Sequence, residues 1–482
     1  MELLILSLEH LKAYTRYCGI LLIVVGVVFF IPGVVASFFN ESFEMNTFFM
    51  LAGLVEAAGF TLFYVGRDVK YELTVVDAMF FSAFVWLLIP LIGSLPFLLI
   101  SKLGFLESYF EAMSGFTATG LTMFSDVESL PKSLLFLRSL TEWVGGVGVI
   151  VLMLAIIIHP SMAAARLYIS EARAEKLEPT VRGTVREIWW IYLLYTGIGS
   201  CLLYFAGIPL FDAINHSMTA IATGGFSVKN NSIGAYNNLS VEVVVMFLMI
   251  LGMTSFAVHH KLLRGHLREF FHNIEVKLMF SLILIFSTTV FLNLTMKSDI
   301  ASPLALRESF FQCISALSGT GFSTVNLAAL DDFTKALLIM LMIIGGGYGS
   351  TSSAIKLIRT AIVLGSFRWF IRKMRSPRGA IIPVKVGGKV YEESEVIEVA
   401  LFTLLYLTFL GVGSILMTLL GFSFINSLFE VASAQGNVGL SVGIVSPNLH
   451  ILGKVVLIIE MWVGRLEILP VIMFLQKIVR KA

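Results

Sequence analysis

The chain has 482 residues, 57% of them hydrophobic and 14% charged, with a formal net charge of +2. Such a composition belongs to a polytopic membrane protein whose main solvent is lipid, and it excludes a large basic surface for nucleic acid. The three cysteines, Cys18, Cys201 and Cys313, are odd in number and lie far apart in or beside apolar segments, so neither a disulfide framework nor a thiolate metal site is expected.

A helix of about 20 apolar residues crosses the hydrocarbon layer. Ten stretches qualify: 18–39, 47–65, 76–100, 134–158, 188–206, 241–258, 274–294, 336–364, 396–420 and 452–475. The first is too long for a signal-peptide core and is expected to be retained. An even number of spans places both termini on one side. Lysine and arginine mark that side as cytoplasmic. They cluster in 159–189 (Arg166, Arg173, Lys176, Arg182, Arg186) and in 365–394 (Arg368, Arg372, Lys373, Arg375, Arg378, Lys385, Lys389). Lys12, Arg16, Lys261, Arg264, Arg268, Lys477, Arg480 and Lys481 fall on the same face.

The opposite connections hold four related glycine stretches: Thr117-Ala118-Thr119-Gly120, Ala222-Thr223-Gly224-Gly225, Ser318-Gly319-Thr320-Gly321 and Gly436-Asn437-Val438-Gly439. Each ends in glycine, is followed by Leu or Phe and then by Ser or Thr, and recurs after roughly a hundred residues, enough for two spans and a connection. Before each lies an apolar segment too short to span, headed by Glu107, Asp212, Glu308 or Asn426, residue types that suit a helix N-terminus. The expected architecture is therefore all-α: ten transmembrane helices, with four helix–pore-loop–helix repeats around a pseudo-fourfold pore and two extra N-terminal helices. The expected divisions are 1–70 for the N-terminal pair and 71–165, 166–265, 266–375 and 376–482 for the repeats.

A bare monovalent cation crosses such a layer only where oxygen atoms replace its water, and backbone carbonyls can do so. Turning successive carbonyls toward one axis needs backbone conformations that glycine adopts freely. The C-terminal ends of four half-helices add partial negative charge, which favours cations. A single Gly-Phe-Ser would read as a packing contact between helices. Four copies in register, each between a half-helix and a full span, read as a selectivity filter opening from outside.

These loops, together with Arg138-Ser139-Leu140-Thr141-Glu142-Trp143-Val144-Gly145-Gly146 and Gly464-Arg465-Leu466-Glu467, resemble the TrkH/TrkG/KtrB family of potassium-uptake proteins over nearly the whole chain. The two extra N-terminal spans resemble the TrkH branch. The resemblance implies a single-chain potassium pore, assembled as a homodimer and controlled by a cytosolic nucleotide-binding subunit of the TrkA type, with no nucleotide bound by this chain. In that family a glycine in all four loops goes with K+ and a serine in the first goes with Na+, so Gly120 implies K+ as the transported ion. Ala118 departs from a threonine common at its position. The alternative within the superfamily is a sodium-permeable or ion-coupled symporter.

Two gating elements are expected. Gly345, Gly346, Gly347 and Gly349 sit inside the eighth span, where glycine costs about 1 kcal/mol per helical residue and should unwind or kink it. The family has an intramembrane gating loop here. Arg465 lies about 14 residues into the last span, an expensive depth for a charge. It should either pair with Glu460 or Glu467 or face the pore, and the resemblance favours the pore. Lys356 either acts likewise or snorkels to the inner face. Arg138 and Glu142, four apart, should pair with each other. No nucleophile, paired acids or metal ligands lie inside spans, which argues against an intramembrane enzyme. Four same-sense repeats argue against a secondary transporter built on two inverted ones.

Overall fold

The computed structural model describes residues 8–68, 73–148, 180–297, 302–377 and 382–479. The end of the expected fourth span lies outside the described residues, as do Arg166, Arg173, Lys176, Arg378, Arg480 and Lys481.

Two helices, α1 (Leu8–Phe38) and α2 (Ser42–Val65), form an N-terminal antiparallel hairpin. Glycines set its closeness. A Cβ on Gly19 would strike the backbone of Phe63 and Gly59, and one on Gly33 would strike the ring of Phe49, so only hydrogen fits between the helices.

Four units of one design follow. The first comprises α3 (Val75–Ile100), the half-helix α4 (Phe105–Phe116) and α5 (Lys132–Val147). The second comprises α6 (Val181–Phe205), the half-helix α7 (Leu210–Ile221) and α8 (Leu239–Met253), continued by α9 (Phe256–Leu263) and α10 (Leu267–His272). The third has α11 (Ile274–Lys297), the half-helix α12 (Ser302–Ser318), α13 (Asp332–Ile344) and α14 (Leu357–Arg375). The fourth has α15 (Glu393–Leu419), the half-helix α16 (Phe424–Gln435), α17 (Ile451–Arg465) and α18 (Leu469–Val479). Half-helices form the buried centre, and α1, α2, α6, α11 and α15 present apolar side chains outward, the inverse of a soluble protein's arrangement.

In every unit the helix after the loop stops after 13 to 16 residues. The sixth and tenth spans, expected as continuous helices, are therefore broken. α8 and α9 meet at 107°, and the carbonyls of Gly252 and Met253 freed by that bend accept hydrogen bonds from the third unit. In the fourth unit Glu467 (φ 56°) and Ile468 (φ 68°) adopt left-handed conformations that end α17. The third half-helix begins earlier than expected, at Ser302, so Glu308 lies within it and not at its N-terminus. One small hairpin departs from the helical pattern: β1 (Val384–Val386) pairs antiparallel with β2 (Lys389–Tyr391) around Gly387 and Gly388, both with positive φ.

Candidate functional site

All four half-helices end in the same hydrogen-bonded turn. The amide of Thr119 donates to the Ser114 carbonyl (2.8 Å), Gly224 to Thr219 (2.9 Å), Thr320 to Ser315 (3.1 Å) and Val438 to Ser433 (2.8 Å). The amide just before each donates to the next carbonyl along the helix, from Ala118 to Gly115 and from Thr223 to Ala220, for example. This termination requires a left-handed residue in the middle. Ala118 (φ 53°), Thr223 (51°), Gly319 (71°) and Asn437 (50°) supply it. Only the third loop uses glycine there, so the other three carry roughly 1–2 kcal/mol of local strain each. Two residues on, Gly120 (89°), Gly225 (86°), Gly321 (81°) and Gly439 (95°) are again positive. Alternating handedness along a strand turns successive carbonyls to one side instead of opposite sides.

The four loops meet in a closed cycle. A Cβ on Gly120 would collide with the carbonyl oxygen of Gly224, one on Gly225 with that of Thr320, one on Gly321 with that of Val438, and one on Gly439 with that of Thr119. Each glycine thus sits against the residue before the next loop's glycine, and the fourth loop returns to the first. Asn437 reinforces that last step, donating from Nδ2 to Thr119 Oγ1 at 2.9 Å.

Buried polar side chains brace the loops from behind. Nine residues before the four glycines stand Glu111, His216, Gln312 and Glu430, each on a half-helix and each bonded to the segment after its own glycine. Glu111 accepts from the Met123 amide (2.8 Å) and Glu430 from the Val442 amide (2.9 Å), while His216 Nε2 meets Ser227 Oγ at 2.9 Å and Gln312 Nε2 donates to Thr324 Oγ1 at 3.3 Å. These residues were not singled out from sequence. The signal was available as one polar position repeating at fixed distance from the glycine in otherwise apolar segments.

Arg138 does not take Glu142 as its hydrogen-bonding partner. Its Nε donates to Glu111 Oε1 at 2.8 Å, Nη1 donates to the Ser227 carbonyl at 2.9 Å, and its guanidinium lies 4.0 Å from the centre of the Phe226 ring. Glu142 instead accepts from the Phe226 amide at 3.0 and 3.1 Å. Both side chains on α5 therefore reach across to the second loop, because burial places an amide and a carboxylate from other segments closer than the helix neighbour.

Below the loops the third unit is unwound from Gly345 to Lys356. The Gly347 amide donates to the Met253 carbonyl (2.8 Å) and the Phe256 amide to the Gly349 carbonyl (3.0 Å). Thr351 Oγ1 lies 3.1 Å from the Thr223 hydroxyl and 3.0 Å from the Ile221 carbonyl. Ser352 sits directly under Gly319. A cavity of about 60 Å³ is lined here by residues 349–353, Gly146, Lys356, Arg465 and Glu467.

Arg465 reaches into this layer, donating to the carbonyls of Gly145 (2.5 Å), Gly146 (2.8 Å) and Thr351 (3.3 Å). It thus joins the first unit, the unwound segment and the last helix. Glu467, offered by the sequence as a partner for Arg465, pairs with Lys356 (3.3 Å) and Arg359 (2.6 Å). The left-handed turn at Glu467 swings its carboxylate to α14. Lys356 is buried in that pair and does not snorkel to the inner face.

The family described as TrkH, cation transport protein, matches residues 44–481. The chain is 34% identical to an uncharacterised cation transporter of Methanocaldococcus jannaschii, covering 97% of this chain and 96% of that protein. It is 31% identical to the Trk system potassium uptake protein TrkG of Escherichia coli, covering 97% and 98%. It also superimposes on the crystal structure of the potassium transporter TrkH from Vibrio parahaemolyticus with a TM-score of 0.86 at 26% identity, over 96% of this chain and 98% of that one. With four half-helices closing one ring inside a bundle of apolar spans, and with these matches along nearly its full length, the chain is a multi-pass membrane protein and belongs to the TrkH family of cation transport proteins.

Proposed function

We propose that this chain takes up potassium across the cell membrane through a filter formed by Thr117 to Gly120, Ala222 to Gly225, Ser318 to Gly321 and Gly436 to Gly439. The observation that carries the reading is the closed cycle of glycine–carbonyl contacts. Four matched backbone turns offer rings of oxygen atoms at the ends of four helix dipoles, the environment that substitutes for the hydration shell of a monovalent cation. Relatives named for potassium uptake support K+ as the ion.

The gate in this reading is the unwound segment with Gly345, Gly346, Gly347 and Gly349, held beneath the filter by Arg465 and by the Lys356–Glu467 pair. Two cationic side chains close to the ion path raise its barrier until the segment moves. The reading extends to a homodimer with both termini cytoplasmic and to a cytosolic nucleotide-binding regulatory subunit. Relatives named as parts of a Trk system support a partner component, and this subunit would act on the basic inner connections.

The test is flux into vesicles holding the purified chain, comparing K+, Rb+, Na+ and Li+, with Gly120→Ser alongside. K+ and Rb+ should pass in preference to Na+ and Li+, and the substitution should erode that preference severalfold. Equal passage of all four ions in the unsubstituted protein would sink the filter reading.

A further inference from the structure

At the end of the molecule opposite the glycine loops, α11, α14 and the β1–β2 hairpin frame an open, solvent-facing cavity of about 330 Å³. Arg368 and Arg372 line it from α14 and Lys385 from β1, while Ile274, Leu278 and Leu364 form an apolar wall. No acidic side chain lines it among the described residues. Among the described residues none of the three cationic side chains has a hydrogen-bond or ion-pair partner either. Arg368 and Arg372 stand one helical turn apart, where like charges repel. The arrangement is held in place by the Trp369 indole, which donates to the Ile382 carbonyl at 2.7 Å, and by Val386, packed where a Cβ on Gly365 would go.

The depth of the cavity is fixed by Ile274. That residue opens the apolar span α11, and the Asn273 side chain just before it caps the helix by accepting from the Glu275 amide at 2.8 Å. The wall from Ile274 to Leu278 is therefore the first turn of a span, at the boundary between hydrocarbon and water. Trp369 sits at the same level, as tryptophan does at membrane interfaces. Beside it Phe367, Phe370 and Ile371 are each more than half exposed, a surface suited to acyl chains.

We propose that this cavity binds the phosphate headgroup of an anionic phospholipid of the adjoining leaflet, with Arg368, Arg372 and Lys385 as its ligands and the apolar wall against the lipid's glycerol and upper acyl chain. Three cations around one cavity supply the charge complement of a phosphodiester, and their place at the boundary lets a lipid keep its tails in the membrane while its headgroup enters. An acidic protein segment would satisfy the charges but would leave the apolar wall and the exposed phenylalanines unused. Since α14 continues directly from the unwound segment at Lys356, occupancy would also bias that segment. This consequence alone rests on the gating reading above.

The test uses the full chain in lipid nanodiscs and reads quenching of Trp369 by lipids brominated on the acyl chain, taking Trp369→Phe as the background. Brominated phosphatidylglycerol should quench the Trp369 component more strongly than brominated phosphatidylcholine. Arg368→Gln, Arg372→Gln and Lys385→Gln should each cut that preference about fivefold, in line with the contribution of one basic residue near an anionic surface. Arg368→Lys should keep it. In the unsubstituted protein the preference should fall as salt is raised, which holds the proposal to account should the glutamine variants fail to fold. Equal quenching by the two lipids, or a preference insensitive to salt, overturns the proposal. Displacement of the lipid by inorganic phosphate or soluble glycerol phosphate would overturn the lipid assignment in favour of a free anion, and displacement by a polyglutamate peptide would overturn it in favour of an acidic protein. The readout reports lipid occupancy and so fails or succeeds independently of ion flux.

Discussion

Gly439 lies against the carbonyl oxygen of Thr119, so the last loop of the chain completes a ring begun by the first. Neither a methyl group nor a hydroxymethyl fits at that contact. Gly439→Ala is expected to push the fourth loop away from the first and reduce potassium flux by at least about tenfold, equivalent to roughly 1.4 kcal/mol at the barrier. Gly411, with open space around its α-carbon, provides the control. If Gly439→Ala transported normally while the protein remained folded, the ring would not be where ions pass.

Arg138 and Glu111 form a buried pair, with side chains 2% and 0% exposed. Removing one partner of such a pair strands the other charge and costs about 3–5 kcal/mol. Arg138→Ala and Glu111→Ala should each lower the thermal unfolding midpoint markedly in detergent, and the double variant should lose much less than the sum. Glu142→Ala should couple to Arg138→Ala more weakly, since it holds the Phe226 amide instead. A larger coupling between Arg138 and Glu142 than between Arg138 and Glu111 would contradict the observed pairing.

Glu467 holds Lys356 and Arg359 against the break between α17 and α18. Glu467→Gln keeps the shape but removes the charge, leaving two cations less restrained beside the unwound segment. On the gating reading, basal flux without any regulatory subunit should change by severalfold, and Arg465→Ala should raise it by untying Thr351 of the segment from the Gly145 and Gly146 carbonyls of α5. Measurements of ion leak from vesicles loaded with K+ would settle the point. Unchanged basal flux in both variants would detach this layer from gating.

At the start of α13, Asp331 caps the helix and ties it to α11, accepting from the Thr334 amide (3.2 Å), Asn293 Nδ2 (3.0 Å) and Lys297 Nζ (3.0 Å). Burial acts to raise its pKa, but the hydrogen bonds from Thr334, Lys297 and Asn293 outweigh it and hold the carboxyl well below the usual range. A folded-state pKa below the unfolded one contributes stability that is present above the unfolded value, about 3.9, and is lost as pH falls through the folded value. Asp331→Asn should therefore lower the melting midpoint equally at about pH 7 and about pH 5, with the gap closing only in stronger acid. A gap that vanished by pH 5 would show that Asp331 titrates normally.

The apolar spans and the repeated glycines were legible because they depend on the local solvent and on backbone conformations that few residues adopt. Runs of lipid-soluble residues mark a membrane span wherever they occur, and Gly120, Gly225, Gly321 and Gly439 announce positive φ whatever surrounds them. The unwinding at Gly345 to Gly349 was legible for the same reason. Partners were not. Nearness along the chain joined Arg138 to Glu142 and offered Glu460 or Glu467 to Arg465, whereas folding brought Glu111 to Arg138, the Gly145 and Gly146 carbonyls to Arg465, and Lys356 and Arg359 to Glu467. The bend between α8 and α9 was hidden as well, and the Met253 carbonyl that it frees is taken by the Gly347 amide of another unit. Sequence by itself determined what must enter the membrane and where the backbone must turn. Only tertiary structure decided which charges meet, since in a low-dielectric interior each polar group takes whichever partner the packing brings within reach.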